Sequence, residues 1–519
     1  MFRSLLIPAL LLITISIQAQ QKLLNTAHQN TGSNFRTNSE VVAKTYSLPE
    51  RIHSFHIDST TNMATLQLRD LTKNGKNLKN KGSIALVDLG TNTIKWNRPF
   101  DYASNGFAQY GKHYIQSSPG KSIIIDAENG TDAWIMPNEI YYAHPVQDIA
   151  LGYKYRALAN VASDRLEGID ISNGKVLWKR EIKKDYSWNE IKNLNDSTLL
   201  IVSSGLHTIN LKDGTGWDYD ASTGRNDYKK MIAANAAGIA LGVLTGTYMV
   251  STGSDIVKDL VSNLLKDDSA YYLASRHEIV SIDSTGNKRW QKPLAKEFAS
   301  KSELFLKGND LIMVNRGYAY YNDNLVDYGM PFIAVFDKSN GNQKYLVETG
   351  RKKQMINSYM LNKDSSEIFL VMDNKLSRYS LNDGKLINEQ PFDGKKYGEP
   401  SYLIADNAYL KPQADLEPVA THFKDQHILF TKKDKVLLLD NALNIIDEID
   451  SKDIYFTLAK NKNYSLLIRD HNVLIVDAQH KVLGELKISP DAKTVNNKVY
   501  DAQDNKLLEI DLQEFAPAM

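Results

Sequence analysis

Leu166-Glu-Gly-Ile-Asp-Ile-Ser-Asn-Gly-Lys-Val-Leu-Trp178 decides how this chain is read. An apolar run ends at Asp170, Gly174 follows four residues on, and Trp178 stands eight residues after the Asp. The stretch predicts two antiparallel strands joined by a short turn. Asp hydrogen-bonds its own backbone to start the turn, and Gly accepts the positive φ that the turn demands. The second strand is expected to bring its large aromatic back over the hairpin.

The same pattern recurs along most of the chain. Copies run from Leu86-Val-Asp88 to Trp96, from Ile124-Ile-Asp126 through Gly130 to Trp134, and from Thr208-Ile-Asn210 through Gly214 to Trp217. Further copies are Ser281-Ile-Asp283 with Gly286 and Trp290, and Val335-Phe-Asp337 with Gly341 and Tyr345. Weaker ones stand at Tyr379-Ser380 with Gly384, Leu438-Leu-Asp440, Ile475-Val-Asp477 and Glu509-Ile-Asp511. Five of the six tryptophans lie seven or eight residues after the turn-starting position. Spacings between those positions are mostly 34 to 44 residues, with 54, 60 and 73 where insertions fall.

A period near 40 with strand-turn-strand content fits a propeller blade, because one four-stranded sheet cannot bury both of its faces alone. Val436-Leu-Leu-Leu439 and Val473-Leu-Ile-Val476 are apolar on successive residues. Such runs suit strands covered on both faces.

The run Ile169-Asp170-Ile-Ser-Asn-Gly174-Lys175-Val-Leu-Trp178 resembles the repeat of the pyrroloquinoline-quinone-like β-propeller superfamily. That superfamily includes quinoprotein dehydrogenases and a non-enzymatic subunit of the bacterial outer-membrane barrel-assembly machinery. The resemblance covers roughly residues 45–218 and 271–519 and is specific for fold, not for activity. The chain departs from the pattern where a small Ala usually stands two residues before the Asp; Leu86, Ile124 and Val335 occupy that place. The resemblance implies an all-β fold, a single closed propeller of about eight four-stranded blades, with counts from seven to ten open. Ile52–Leu68 pairing with Val499–Leu512 is the expected closure.

Composition is ordinary for a protein in water, with 42% hydrophobic and 24% charged residues among 519. A net charge of +1 gives no reason to invoke nucleic acid. With no cysteine there is no disulfide framework, no thiolate chemistry and no lipid-modified cysteine after a leader. Residues 1–19 read as a signal peptide: Arg3, an apolar core from Leu5 to Ile17, and a cleavage site at Ile17-Gln-Ala19. The expected location is therefore periplasmic or secreted. Residues 20–44, rich in Gln, Asn, Thr and Ser, read as a polar tether.

Residues 219–270 break the period, between propeller parts at 45–218 and 271–519. No charge occurs from Met231 to Ser254, and Ala234, Gly238, Gly242 and Gly246 recur every four residues. That spacing puts small groups on one face of a helix. Ser254-Asp255 then caps a stripe of Ile256, Val257, Leu260, Val261, Leu264 and Leu265. The expectation is an inserted α-helical hairpin with Gly238, Gly242 and Gly246 as a partner-binding face. It is not expected to span a membrane, because repeats on both sides must close into one ring.

Motifs for chemistry are sparse. Quinoprotein dehydrogenases stack their quinone between a tryptophan and a disulfide of adjacent cysteines, which this chain cannot make. Asp218-Tyr-Asp220-Ala-Ser222-Thr-Gly224 begins like a calcium loop, but its Gly is one position late and Lys229 stands at position twelve. His53 and His56, three apart on a strand, point to opposite faces. No Gly-x-Ser-x-Gly elbow and no His-Glu-x-x-His occurs. The loop Arg316 to Gly329, with Tyr320, Asp323, Asp327 and Tyr328, either stacks on a glycan or peptide or is a long hairpin within one blade. The residues favour a non-catalytic scaffold of the cell envelope that binds another protein or a glycan, with no cofactor, no metal and no catalytic residue. The alternative is a quinone-dependent oxidoreductase of unusual form, or a hydrolase with its site in the central funnel.

Overall fold

The computed structural model describes residues 22–155, 162–182, 188, 190–203, 205–220, 261–275, 277–294, 300–321, 324–327, 329–372, 374–398, 400–402, 408–410, 416–419, 426–461 and 463–515. Almost every element is a strand paired antiparallel with its sequence neighbour. The first sheet contains β4 (Ile52–Ile57), β5 (Met63–Leu68), β6 (Lys81–Asp88) and β7 (Thr93–Asp101) in order, with β1 (Lys22–Leu23) added on β7. Seven four-stranded sheets follow along the chain, and an eleven-stranded sheet holds two more runs of four. Ten four-strand runs therefore stand among the described residues, where the resemblance implied about eight blades with seven to ten open.

Central strands are apolar on both faces. Lys435–Leu439 buries Val436 through Leu439, and Asn472–Val476 buries Val473 through Val476. The core is accordingly divided into clusters, each shared between consecutive sheets. Ile84, Leu86 and Trp96 of the first sheet pack with Phe107, Tyr114 and Ile125 of the second. The series ends where it began: Tyr46, Tyr500 and Leu507 of the last run pack with Phe55, Leu66 and Val87 of the first sheet.

The segment read as a polar tether makes this return. β2 (Asn25–Asn34) and β3 (Ser39–Ser47) form a hairpin, and β3 pairs with Lys506–Asp511 to complete the last run. Ile52–Leu68 does not pair with Val499–Leu512; β4 and β5 pair with each other, and β5 with β6. Composition misled because β3 buries Val41, Ala43 and Thr45 on one face, while on the other only Tyr46 is buried and Glu40, Val42 and Lys44 stay outside or half-buried. A strand covered on one side needs only every second residue apolar.

Residues 221–260 of the expected helical hairpin, including Gly238, Gly242 and Gly246, lie outside the described residues, as do residues 1–19, the expected signal peptide. Its expected helical end is a strand: Leu265–Lys266 pairs with Tyr271–Tyr272. Leu264 is buried between the fourth and fifth sheets, so pairing and burial override the helical spacing there.

Candidate functional site

The repeated aromatic covers its own hairpin and also reaches the next sheet: a Cβ on Gly168, the cross-strand partner of Trp178, would fall 2.1 Å from that indole. Indole Nε1 of Trp96 donates to the carbonyl of Ala127 at 3.0 Å, that of Trp134 to Ile171 at 2.7 Å, and that of Trp178 to Leu211 at 2.7 Å. Trp217 donates to Ser284 at 3.0 Å, Trp290 to Lys338 at 2.9 Å, and the Tyr345 hydroxyl to Leu381 at 2.7 Å. Every acceptor directly follows the turn-starting residue of the following repeat. The turn glycine meets the ring face. Gly214 has φ +75°, and a Cβ there would fall 2.5 Å from Trp178. Two residues beyond the tryptophan, Arg98 and Arg180 reach the carbonyls of Gly130 and Gly214 at 3.0 and 3.1 Å.

The turns are built as the sequence implies. Asp170 Oδ1 accepts from Ser172 N at 2.9 Å, and Asp88, Asp126, Asp283 and Asp337 accept from the backbone two residues on in the same way. Hydrogen bonds from Ser172, Thr285 and Ser339 hold the carboxyls of Asp170, Asp283 and Asp337 below the usual range. Trp96, Trp178 and Trp290 are buried, while Trp134 and Trp217 are half-buried. A ring with glycine on its face and its N–H already donated is not an open platform for a quinone.

The conspicuous loop resolves into a hairpin within one run. Tyr318–Tyr321 pairs with Asn324–Asp327, placing Tyr320 and Asp327 on its strands between Asp310–Asn315 and Phe332–Asp337. Asp323 and Tyr328 lie outside the described residues. Arg316 turns to its own framework: Nη2 is 2.6 Å from Glu303 Oε1, Nη1 donates to Asn357 O at 3.2 Å, and the guanidinium lies over Tyr359. Asp218 is likewise engaged, with Arg180 at 2.6 Å and His207 at 2.7 Å. No group of three His, Cys, Asp or Glu side chains that could hold a metal occurs among the described residues.

A cavity of about 1280 Å³ opens where the N-terminal hairpin, β4 and the last two runs meet. Its cations are Arg51, Lys487 and Lys493, its acids Asp491, Asp501 and Asp504, and His53 and His471 also border it. Arg51 is paired with Asp504 at 2.5 Å. Asp501 is fully buried and accepts from Ser489 Oγ at 2.6 Å, Ser489 N at 3.2 Å and Gln503 Nε2 at 2.9 Å. Lys493 Nζ donates to the Phe55 carbonyl at 2.5 Å and stands 4.8 Å over the Phe55 ring. Burial pulls its ammonium down to about 8, against a smaller opposing pull from Asp491. His53 is lowered by burial and then by Arg69 and Arg51.

Sequence reasoning missed this cavity. None of Thr31, Lys493 and Asp501 belongs to the repeat, and segments far apart in the chain assemble the lining. The one legible signal was Asp501, a charge directly after Val499 and Tyr500 in the strand Lys498–Gln503.

No family model matches the chain, and no curated protein matches it. Among solved structures, BamB from Moraxella catarrhalis aligns over 70% of this chain and 94% of its own, at 13% identity and a TM-score of 0.31. Apo AztD from Citrobacter koseri aligns over 72% and 94%, at 10% identity and a TM-score of 0.31. Kluyveromyces lactis Hsv2 aligns over 67% and 100%, at 11% identity and a TM-score of 0.26. At such TM-scores the likeness carries no argument; strand pairing and the connectivity of the core carry the fold.

Proposed function

We propose that this chain is one closed β-propeller of ten four-stranded blades, related to the pyrroloquinoline-quinone-like repeat superfamily and acting as a non-catalytic scaffold of the bacterial cell envelope. The observation that carries the proposal is the aromatic docking between consecutive sheets. It engages the repeated Trp, Gly and turn residues in holding blade to blade, and so leaves recognition to the segments that depart from the repeat. Those segments are the insert at 219–270 with Gly238, Gly242 and Gly246, the hairpin after Arg316, and the cavity beside Lys493. The leader-like residues 1–19 support an envelope location. Among the described residues no helix is long and apolar enough to cross a membrane.

Pull-down of the secreted full chain from its own envelope, after mild cross-linking, tests the proposal. Recovery of one dominant envelope protein is expected, and weaker recovery with Gly242→Leu if the insert takes part. Recovery of nothing above a control propeller overturns the scaffold reading. Lys493 would be the residue to examine first for an enzyme, because a lysine whose ammonium burial pulls down to about 8 inside a cavity suits proton transfer or nucleophilic attack.

A further inference from the structure

The ladder between β2 and the strand Val482–Lys487 ends before its residues run out. Gly32, Ser33 and Asn34 pair with Leu486, Glu485 and Gly484. Continued in register, Thr31 would face Lys487 and Asn30 would face Ile488. They part instead. Asn30 pairs with Val42 and Gly32 with Val41, so Thr31 is an extra residue, a bulge that bends β2 away. The Thr31 hydroxyl donates to Val41 O at 3.2 Å, and Asn30 Oδ1 accepts from Gly32 N at 2.9 Å, which fixes the bend. Gln29, Asn30 and Thr31 on one arm, and Lys487, Ile488 and Ser489 on the other, line the cavity.

The cavity is thus the open crotch of a fork in a β-sheet. Among the described residues, β2 from Asn25 to Asn30 has β3 on one edge and no strand on the other. A free strand edge beside a cavity is a template for an added strand. Charge narrows the choice of strand. Arg51 and Asp504 satisfy each other, Asp501 is held by Ser489 and Gln503, and Asp491 also borders the cavity and attracts Lys493 electrostatically without being its hydrogen-bond acceptor. Lys493 has the Phe55 carbonyl as its one hydrogen-bond acceptor among the described residues, which leaves two of its three donors for a ligand. Phe55, Leu71 and Leu78 supply an apolar wall.

We infer that the fork binds an extended acidic peptide, added as a strand to the free edge of β2 with a carboxylate seated on Lys493. The inference rests on the scaffold reading and names the element of the partner that is recognised. Backbone pairing supplies affinity in this mode, and the carboxylate–ammonium contact sets preference.

The test uses the purified full chain and fluorescence anisotropy with three probes. They are a labelled hexapeptide of alternating Val and Glu, its Val-Gln counterpart, and the Val-Glu peptide N-methylated on alternate amides. Saturable binding of Val-Glu is expected, with Val-Gln weaker by about tenfold or more and the N-methylated peptide weaker still. Lys493→Met should bring Val-Glu and Val-Gln to the same affinity, and Lys493→Arg should keep them apart. The inference is overturned if no peptide saturates, if Glu and Gln peptides bind wild type equally, or if N-methylation changes nothing. It is also overturned if free glutamate displaces Val-Glu as well as the unlabelled hexapeptide does, since the site would then hold a small acid. The N-methylation arm needs no variant and so survives a folding defect. Should the envelope pull-down recover a partner equally with wild type and Lys493→Met while peptides fail, the fork inference falls and the scaffold reading stands.

Discussion

The hydroxyl of Tyr46 lies 3.2 Å from the carbonyl of Leu89, the residue after Asp88, as the indole of Trp96 lies 3.0 Å from that of Ala127, the residue after Asp126. Tyr46 is on the N-terminal hairpin and completes the last four-strand run. The docking contact that links sheet to sheet therefore also links the end of the series to its beginning.

Tyr46→Phe removes this hydroxyl and with it the contact to Glu509 Oε2 at 2.7 Å. Burial, and then Glu509, push the phenol well above its usual range, so it stays protonated throughout the working pH range. A loss of about 1–3 kcal/mol is expected for a buried hydrogen bond to a charged group, read as a lower midpoint in urea with an unchanged slope. An unaltered midpoint would mean that the hairpin closes without it.

Trp178 and Gly214 should behave as one unit. Trp178→Ala leaves a large cavity and is expected to cost about 3–5 kcal/mol. Gly214→Ala forces a Cβ against the ring at a positive φ and should also destabilise. With the ring gone the steric part of the glycine penalty disappears, so the double variant should be more stable than the sum of the singles predicts. Strict additivity, measured by denaturation of all four proteins, would argue that the ring does not rest on the glycine.

Acid should loosen the seventh-to-eighth contact. His427 is buried with its ring 3.9 Å from Phe369, and burial, then Arg378, lower its pKa to about 4. The folded state resists a proton that the unfolded chain takes up near 6.5. The stabilisation is therefore complete above that pH and is lost as pH falls from 6.5 towards 4, by about 3 kcal/mol at most. His427→Gln should flatten the fall in stability between pH 7 and 4.5 relative to wild type. Parallel curves would remove His427 from the account.

Titration with pyrroloquinoline quinone and calcium should leave both tryptophan fluorescence and melting temperature unchanged. Three of the docking rings are buried, and all five donate their N–H to backbone carbonyls. A tight ligand would raise the melting temperature in proportion to the logarithm of its concentration over its dissociation constant. A saturable rise at micromolar quinone would overturn the non-catalytic reading.

What the sequence determined by itself was local. Asp170, Ser172 and Gly174 make their turn through hydrogen bonds and a backbone conformation confined to a few residues, and that chemistry is visible wherever the triplet recurs. Apolar runs such as Val436–Leu439 likewise announce burial on both faces. Tertiary structure alone decided which turn each tryptophan meets, because an indole on one strand can reach its own hairpin or its neighbour with no change in spacing. It also decided that Ser39–Ser47 completes the last four-strand run: the buried Val41, Ala43 and Tyr46 are spaced among polar residues, and the partner at Lys506–Asp511 stands at the other end of the chain. The fork beside Lys493 belongs to the same class. A bulge at Thr31, a carbonyl at Phe55 and an ammonium at Lys493 are ordinary residues until the hairpin from one end of the chain is laid against strands from the other.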